Sequence, residues 1–192
     1  QVWKSLKPVN IGPFTITPYP VRHPIKEAYA LRVEAHEPGP DGELLTSVLT
    51  YSGDTDSCDG LVEAARGADM FLCEAAFEEG RDDDIDGVHL TGKRAGEMAA
   101  AAGAERMLLT HIPVWTDINK VVEEAKETYS GGIAVAVSGV TYGVYSGSLK
   151  EDKDPTLFKG DRGTDYLKTR TGSMPTIKYE KTRKFPLLKR KK

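Results

Sequence analysis

The chain has 192 residues, of which 39% are hydrophobic and 29% charged, a balance ordinary for a soluble protein and a length that suits one domain with one core. No apolar run approaches the ~18 residues of a membrane-spanning helix, which excludes that class. The formal net charge of −3 conceals a division: residues 1–146 hold 12 Lys+Arg against 23 Asp+Glu, and residues 147–192 hold 14 against 6.

The two cysteines, Cys58 and Cys73, match no Cys-x-x-Cys or zinc-knuckle spacing and are too few for a disulfide framework. A reducing cytoplasm is the simplest location for such a chain. No secretory signal pattern is visible, and the first residue is Gln1 rather than a methionine, so a natural start is not expected there.

From Phe14 to about Gly143, short β-rich runs alternate with helical stretches, the pattern of an α/β layered fold. The first strands are expected at Phe14–Thr17 and Tyr29–Glu34. Glu37–Glu43, rich in Pro, Gly and Asp, reads as a hairpin or a longer excursion. A strand at Val48–Ser52 follows, then a helix over Ser57–Arg66 with a Ser or Asp cap and a stop at Gly67. Met70–Cys73 is a strand, and Thr91–Ala102 a helix ended by Gly103. Met107–Thr110 is a strand. Asp117–Tyr129 is a helix whose Val121, Val122, Ala125 and Tyr129 share one face, and Ile133–Val137 is the last strand. After Tyr145 the periodicity fades into Gly, Thr, Asp and Lys. Residues 1–145 are therefore read as the folded portion and 146–192 as a basic, flexible tail. Its Lys and Arg, with Tyr166, Tyr179 and Phe185, suit either a solvated extension or phosphate contacts with stacking.

Three candidate ligands follow apolar runs directly: His23, Asp54 and His111. Strand ends are where layered folds build sites, and imidazole with carboxylate suits zinc or manganese. Taken singly, Asp54 reads first as a turn or capping residue and His111 as a satisfied strand-end histidine, ahead of ligand roles. Their co-occurrence points to a metal site. His89 precedes a helix and follows the acidic loop Arg81–Asp86. It fits either a solvated histidine or a general acid, whose near-neutral pKa suits proton delivery to a leaving alkoxide. Glu74 ends a strand and would orient His89 through its other ring nitrogen, or cap the next turn. His36 is assigned to the surface of the turn-rich loop, and Asp82–Asp84 to a solvated charge run.

Taken in order, Ser52-Gly53-Asp54-Thr55, Cys73-Glu74-Ala75-Ala76-Phe77, His89-Leu90-Thr91 and Leu109-Thr110-His111-Ile112 resemble the C-terminal motifs of metallo-β-lactamase-fold phosphodiesterases of the ribonuclease Z type. Val21-Arg22-His23-Pro24 and the strand after it resemble the family's metal-binding histidine region, and the likeness covers residues 9 to about 144. Leu49–Thr55 and His111–Thr116 look most like the short actinobacterial cyclic-nucleotide phosphodiesterases. The resemblance implies an αββα sandwich, incomplete at its N-terminus because the His-x-His-x-Asp-His motif is absent. It also implies two divalent ions, zinc first and manganese or iron as alternatives. His23 would complete the ligands of one, Asp54 would bridge both and His111 would bind the second. A hydroxide generated between the ions would attack phosphorus, with His89, backed by Glu74, assisting the leaving group. The implied substrate is a small phosphodiester such as cyclic AMP, and a homodimer is compatible with the family. The competing expectations are a tRNA 3′-processing endonuclease acting on RNA and a non-catalytic nucleic-acid or ribosome-binding module.

Overall fold

The computed structural model describes residues 3–38 and 42–144; the basic segment from residue 146 and its aromatic residues lie outside these. Seven strands, β1 (Val9–Ile11), β2 (Phe14–Pro20), β3 (Tyr29–Pro38), β4 (Leu44–Tyr51), β5 (Met70–Glu74), β6 (Arg106–Thr110) and β7 (Gly132–Val135), form one sheet in sequence order. Strands β1 to β4 pair antiparallel, and β4 to β7 pair parallel. Three helices supply the connections from β4 onward: α1 (Asp59–Ala65), α2 (Gly92–Ala102) and α3 (Ile118–Thr128).

This arrangement decides where a site can form. Because β2 and β4 are both antiparallel to β3, they run in the same direction as each other, and β5 and β6 follow β4. The C-terminal ends of β2, β4, β5 and β6 therefore lie along one edge of the sheet, and His23, Asp54, Glu74 and His111 sit at or just beyond those ends.

The two faces of the sheet differ. Phe71, Cys73, Met107 and Leu109 alternate toward the helices and join Leu61, Leu90, Val121 and an alanine-rich set in the main core; each large side chain buried there contributes roughly 1.5–3 kcal/mol. Small residues let the helices approach closely. A Cβ built on Gly96 of α2 would lie 2.3 Å from the Thr128 hydroxyl and 2.6 Å from the Ala125 carbonyl of α3. On the other face, Met70, Leu108 and Ala134 form a smaller cluster with Leu49, Leu72, Tyr142 and Val144. Ile11, Phe14 and Tyr51, which the register places on that same side, are 51%, 43% and 38% exposed. The described residues thus form one sheet with helices on one side, half of the layered sandwich that the sequence implies.

Most element boundaries agree with the pattern. Thr91 caps α2 by accepting a bond from the Arg94 N–H, Gly103 ends that helix in a left-handed conformation, and Asp117 caps α3. Several details differ. Strand β2 runs on to Pro20, and β4 begins at Leu44, four residues before its expected start. Strand β1 is a three-residue edge between Pro8 and Gly12, too short to show alternation. The first helix is capped by Cys58, without a side-chain bond, where a Ser or Asp cap is expected. Strand β3 continues through Glu37 and Pro38, which pair with Leu45 and Leu44. His36 is consequently a strand residue rather than a loop residue, its Nδ1 2.9 Å from the Thr46 hydroxyl.

The α2–α3 contact makes a direct prediction. Gly96→Ala forces the two helices apart and destabilises the chain by about 1–3 kcal/mol, read as a lower urea midpoint, whereas Ala100→Ser on the exposed side of α2 leaves the midpoint within about 0.5 kcal/mol of the parent.

Candidate metal centre

The turn after β4 brings Asp54 into the site. Gly53 adopts φ +63°, a left-handed conformation that glycine enters without a Cβ penalty, and a Cβ there would come within 2.7 Å of the Tyr29 carbonyl oxygen. The chain then reverses with Asp54 half exposed and Thr55 and Asp56 buried.

Glu74, at the end of β5, lies behind this turn and is fully buried. Its Oε1 accepts the Thr55 N–H at 2.8 Å and lies 2.7 Å from His89 Nδ1. Its Oε2 accepts the Ala76 N–H at 3.2 Å. Phe77 packs edge-on against the His89 ring, 5.0 Å between centroids. Together these contacts fix the ring and leave Nε2 free to face the site.

His111 follows β6 with φ +55°, uncommon for a residue with a side chain. This left-handed step costs on the order of 1–2 kcal/mol and turns the imidazole back toward the strand ends. Asp54 Oδ1 lies 3.8 Å from His111 Nδ1, and the His89 and His111 rings are 5.2 Å apart. One donor atom each from Asp54, His89 and His111 falls within 4.8 Å of the others, a grouping that could hold a metal ion. His23 stands beside them, its ring 5.4 Å from that of His89. Its Nδ1 is 2.8 Å from the Val88 carbonyl oxygen and must donate to it, which leaves Nε2 as the free lone pair.

All five residues expected from the sequence are therefore brought together, and the pairing of Glu74 with His89 takes the form expected of a second partner on a ring nitrogen. His89 also stands close enough to Asp54 and His111 to join them around an ion, a placement compatible with either ligation or proton transfer. The run Asp82–Asp84 is not simply solvated: Asp82 accepts the Glu78 N–H and pairs with Arg81, and Asp83 accepts the Gly80 N–H, so the run braces its own loop. Three neighbours escaped the sequence pattern. Tyr51 is close enough for the charges of Asp54 and Glu74 to add to burial in raising its phenol pKa. Beside the turn the buried Asp56 pairs with the partly buried Arg94. Such contacts span long stretches of chain and leave no local periodicity.

Residues 2–112 match the β-lactamase superfamily domain. The chain belongs to the β-lactamase superfamily, with the metallo-β-lactamase fold. The protein ML1173 of Mycobacterium leprae is 44% identical over 142 residues, 74% of this chain and 46% of that one. YhfI of Bacillus subtilis, described as a probable metallo-hydrolase, is 31% identical over 136 residues, 71% of this chain and 51% of that one. The YhfI crystal structure superposes with a TM-score of 0.62 at 30% identity, covering 77% of this chain and 55% of that one. The ribonuclease Z of Myxococcus xanthus is 38% identical over 96 residues, 48% of this chain and 31% of that enzyme. This chain accordingly spans about half the length of the curated relatives it matches most extensively.

Burial dominates the proton affinities of the site. It pushes the Glu74 carboxyl from 4.5 up to about 8, against the opposing pull of the Thr55 and Ala76 amides. It also draws the His89 imidazole below its ordinary 6.5, against the charges of Asp54 and Asp56. Since the folded chain holds the Glu74 proton more tightly than the unfolded chain, this stabilisation is complete below about pH 4.5 and is lost as pH rises through about 8. His89 acts in the opposite sense, but only below 6.5. The metal-free chain should therefore lose on the order of 1–2 kcal/mol between pH 6.5 and 8. Urea denaturation across that window measures the slope, and Glu74→Gln should flatten it; an unchanged slope in the variant would show that Glu74 does not titrate there.

Proposed function

We propose that this chain carries part of the active site of a metal-dependent phosphodiesterase, with 3′,5′-cyclic nucleotides such as cyclic AMP as the preferred substrate. The observation that supports this most directly is the convergence of Asp54, His89 and His111 donor atoms within 4.8 Å, with Glu74 buried behind His89.

The residues fit a divalent ion. A carboxylate and several imidazoles form a donor set suited to zinc, and also to manganese or iron. In this reading His23, Asp54 and His111 would hold two ions, zinc first, with further ligands supplied from outside this chain. When bound, the ions would polarise the phosphoryl group and lower the pKa of water into the neutral range. The chain's own residues manage the leaving group. With both Glu74 and His89 neutral, the Glu74 carboxyl donates to Nδ1 and the His89 proton resides on Nε2, facing the site. That proton is the one handed to the departing oxygen while the Glu74 proton moves to Nδ1, so the ring stays neutral and the carboxylate takes up the charge.

Substrate size follows from the surroundings. Among the described residues no long insertion separates the strands and helices, which favours a compact substrate. Val114 and Trp115, on the loop after His111, are 98% and 75% exposed and offer an apolar surface at the rim of the site. The likeness to a ribonuclease Z supports a second reading, an RNA 3′-processing endonuclease with the same chemistry.

Metal content by elemental analysis, on the protein containing this chain and on its Asp54→Ala variant, tests the site; hydrolysis of bis(p-nitrophenyl) phosphate, cyclic AMP and a precursor tRNA tests the substrate. The expected result is metal lost in the variant, with phosphodiester hydrolysis reduced at least about 100-fold, and cyclic AMP consumed in preference to the tRNA. Unchanged metal content and activity in Asp54→Ala would overturn the assignment, and cleavage of the tRNA alone would establish the second reading.

A further inference from the structure

Asp56 is a carboxylate only 2% exposed, two residues beyond Asp54. A turn cap would need one bond from it, but it makes several. Its Oδ1 accepts the Ser57 N–H at 2.7 Å, and its Oδ2 accepts the Gly87 N–H at 2.7 Å. The Arg94 guanidinium of α2 reaches both oxygens, at 3.2 and 3.4 Å. The Asp56 N–H donates to the Arg22 carbonyl at 2.8 Å, within an isolated antiparallel bridge between residues 22 and 56.

These bonds end on the two segments that carry the other imidazoles. Arg22 is the residue before His23. Gly87 opens the tripeptide Gly87-Val88-His89, in which each residue is held by a different partner: Gly87 N–H by Asp56, the Val88 carbonyl by His23 Nδ1, and His89 Nδ1 by Glu74. The charged pair of Arg22 and Asp86 closes the same loop from outside. Asp54, Thr55 and Asp56 therefore tie the site together from one turn: Asp54 enters it, the Thr55 amide holds Glu74, and Asp56 holds both flanking segments.

We infer that Asp56 is a positioning residue, which sets the distance between the Asp54 turn and the Gly87–His89 tripeptide and thereby fixes the orientation and tautomer of His23. Charge-assisted bonds from a buried carboxylate are short and directional, and Arg94 offsets its charge. Loss of the Oδ2 acceptor leaves the Gly87 N–H unpaired, so the tripeptide shifts and the Val88 carbonyl no longer holds His23 Nδ1. This inference rests on the reading that His23, Asp54 and His111 hold the metal with His89 beside them, but its structural half can be tested without metal.

Long-range ¹H–¹⁵N NMR of the imidazole nitrogens, on the metal-free protein, distinguishes the tautomers. In the parent, His23 should show the Nδ1–H form. Asp56→Asn should move the His23 and His89 signals toward averaged tautomers while His36, on β3, stays fixed. Thr128→Val, which removes the bond between the Thr128 hydroxyl and the Lys93 carbonyl, should lower stability without moving either ring. Amide exchange in the parent is independent of whether any variant folds: Gly87 should be protected although it lies in a loop, and a freely exchanging Gly87 overturns the inference. Chelator competition with Co²⁺ supplies the metal readout, with affinity expected to fall about 10–100-fold in Asp56→Asn. A parent that binds no Co²⁺ while its rings still respond to Asp56→Asn would overturn the metal-site reading alone. A parent that binds Co²⁺, with rings and affinity unchanged in the variant, would overturn the positioning role alone.

Discussion

The burial of Glu74 is the constraint around which the site is arranged. A carboxyl removed from water without partners costs several kcal/mol, and here every partner belongs to a different segment: the turn after β4, the peptide after β5, and the ring of His89. The Ser52 hydroxyl adds a further tie by accepting the Glu74 N–H at 2.9 Å. Satisfying one acid thus joins pieces of chain that would otherwise be independent loops. Breaking a single bond exposes the remainder to the full desolvation cost, which is why the arrangement is specific rather than merely compact.

Strand direction brings those pieces within reach. Had β3 been absent, β2 would have ended at the opposite edge of the sheet from β4, and His23 could not have met Asp54. The antiparallel hairpins at the start of the sheet and the parallel crossovers after it serve one geometric end, placing four strand termini side by side. The helices on one face then hold the crossovers in place, and the close approach of α2 to α3 through Gly96 sets where α2 begins, just after His89.

Much of this is legible in the sequence because it is local. Thr91 three residues before Arg94, Gly103 after an alanine-rich helix and Asp117 before Ile118 are signals that act within one turn. His23, Asp54 and His111 stand out because each follows an apolar run. The missed features have a different physical origin. Strand β1 exists only because β2 offers it a partner, and three residues carry no period of their own. Asp56 meets Gly87 and Arg94 across 31 and 38 positions, and nothing within a local window distinguishes it from the turn aspartate beside it. The placement of His36 in a strand shows the same effect: Pro38 and Glu37 read as turn residues, yet pairing with β4 extends the strand through them.

The apolar face opposite the helices links the fold to the chemistry. Tyr51 ends β4 on that face, and its phenol already feels burial, then Asp54, then Glu74. A second layer packed over Tyr51 would remove water from that side of the site, lowering the local dielectric around all three groups. Charge interactions there would strengthen: Asp54 would bind a cation more tightly, and without one Glu74 would hold its proton more firmly still. The proton affinity of the Glu74–His89 pair depends on what covers the sheet as much as on the residues that touch it.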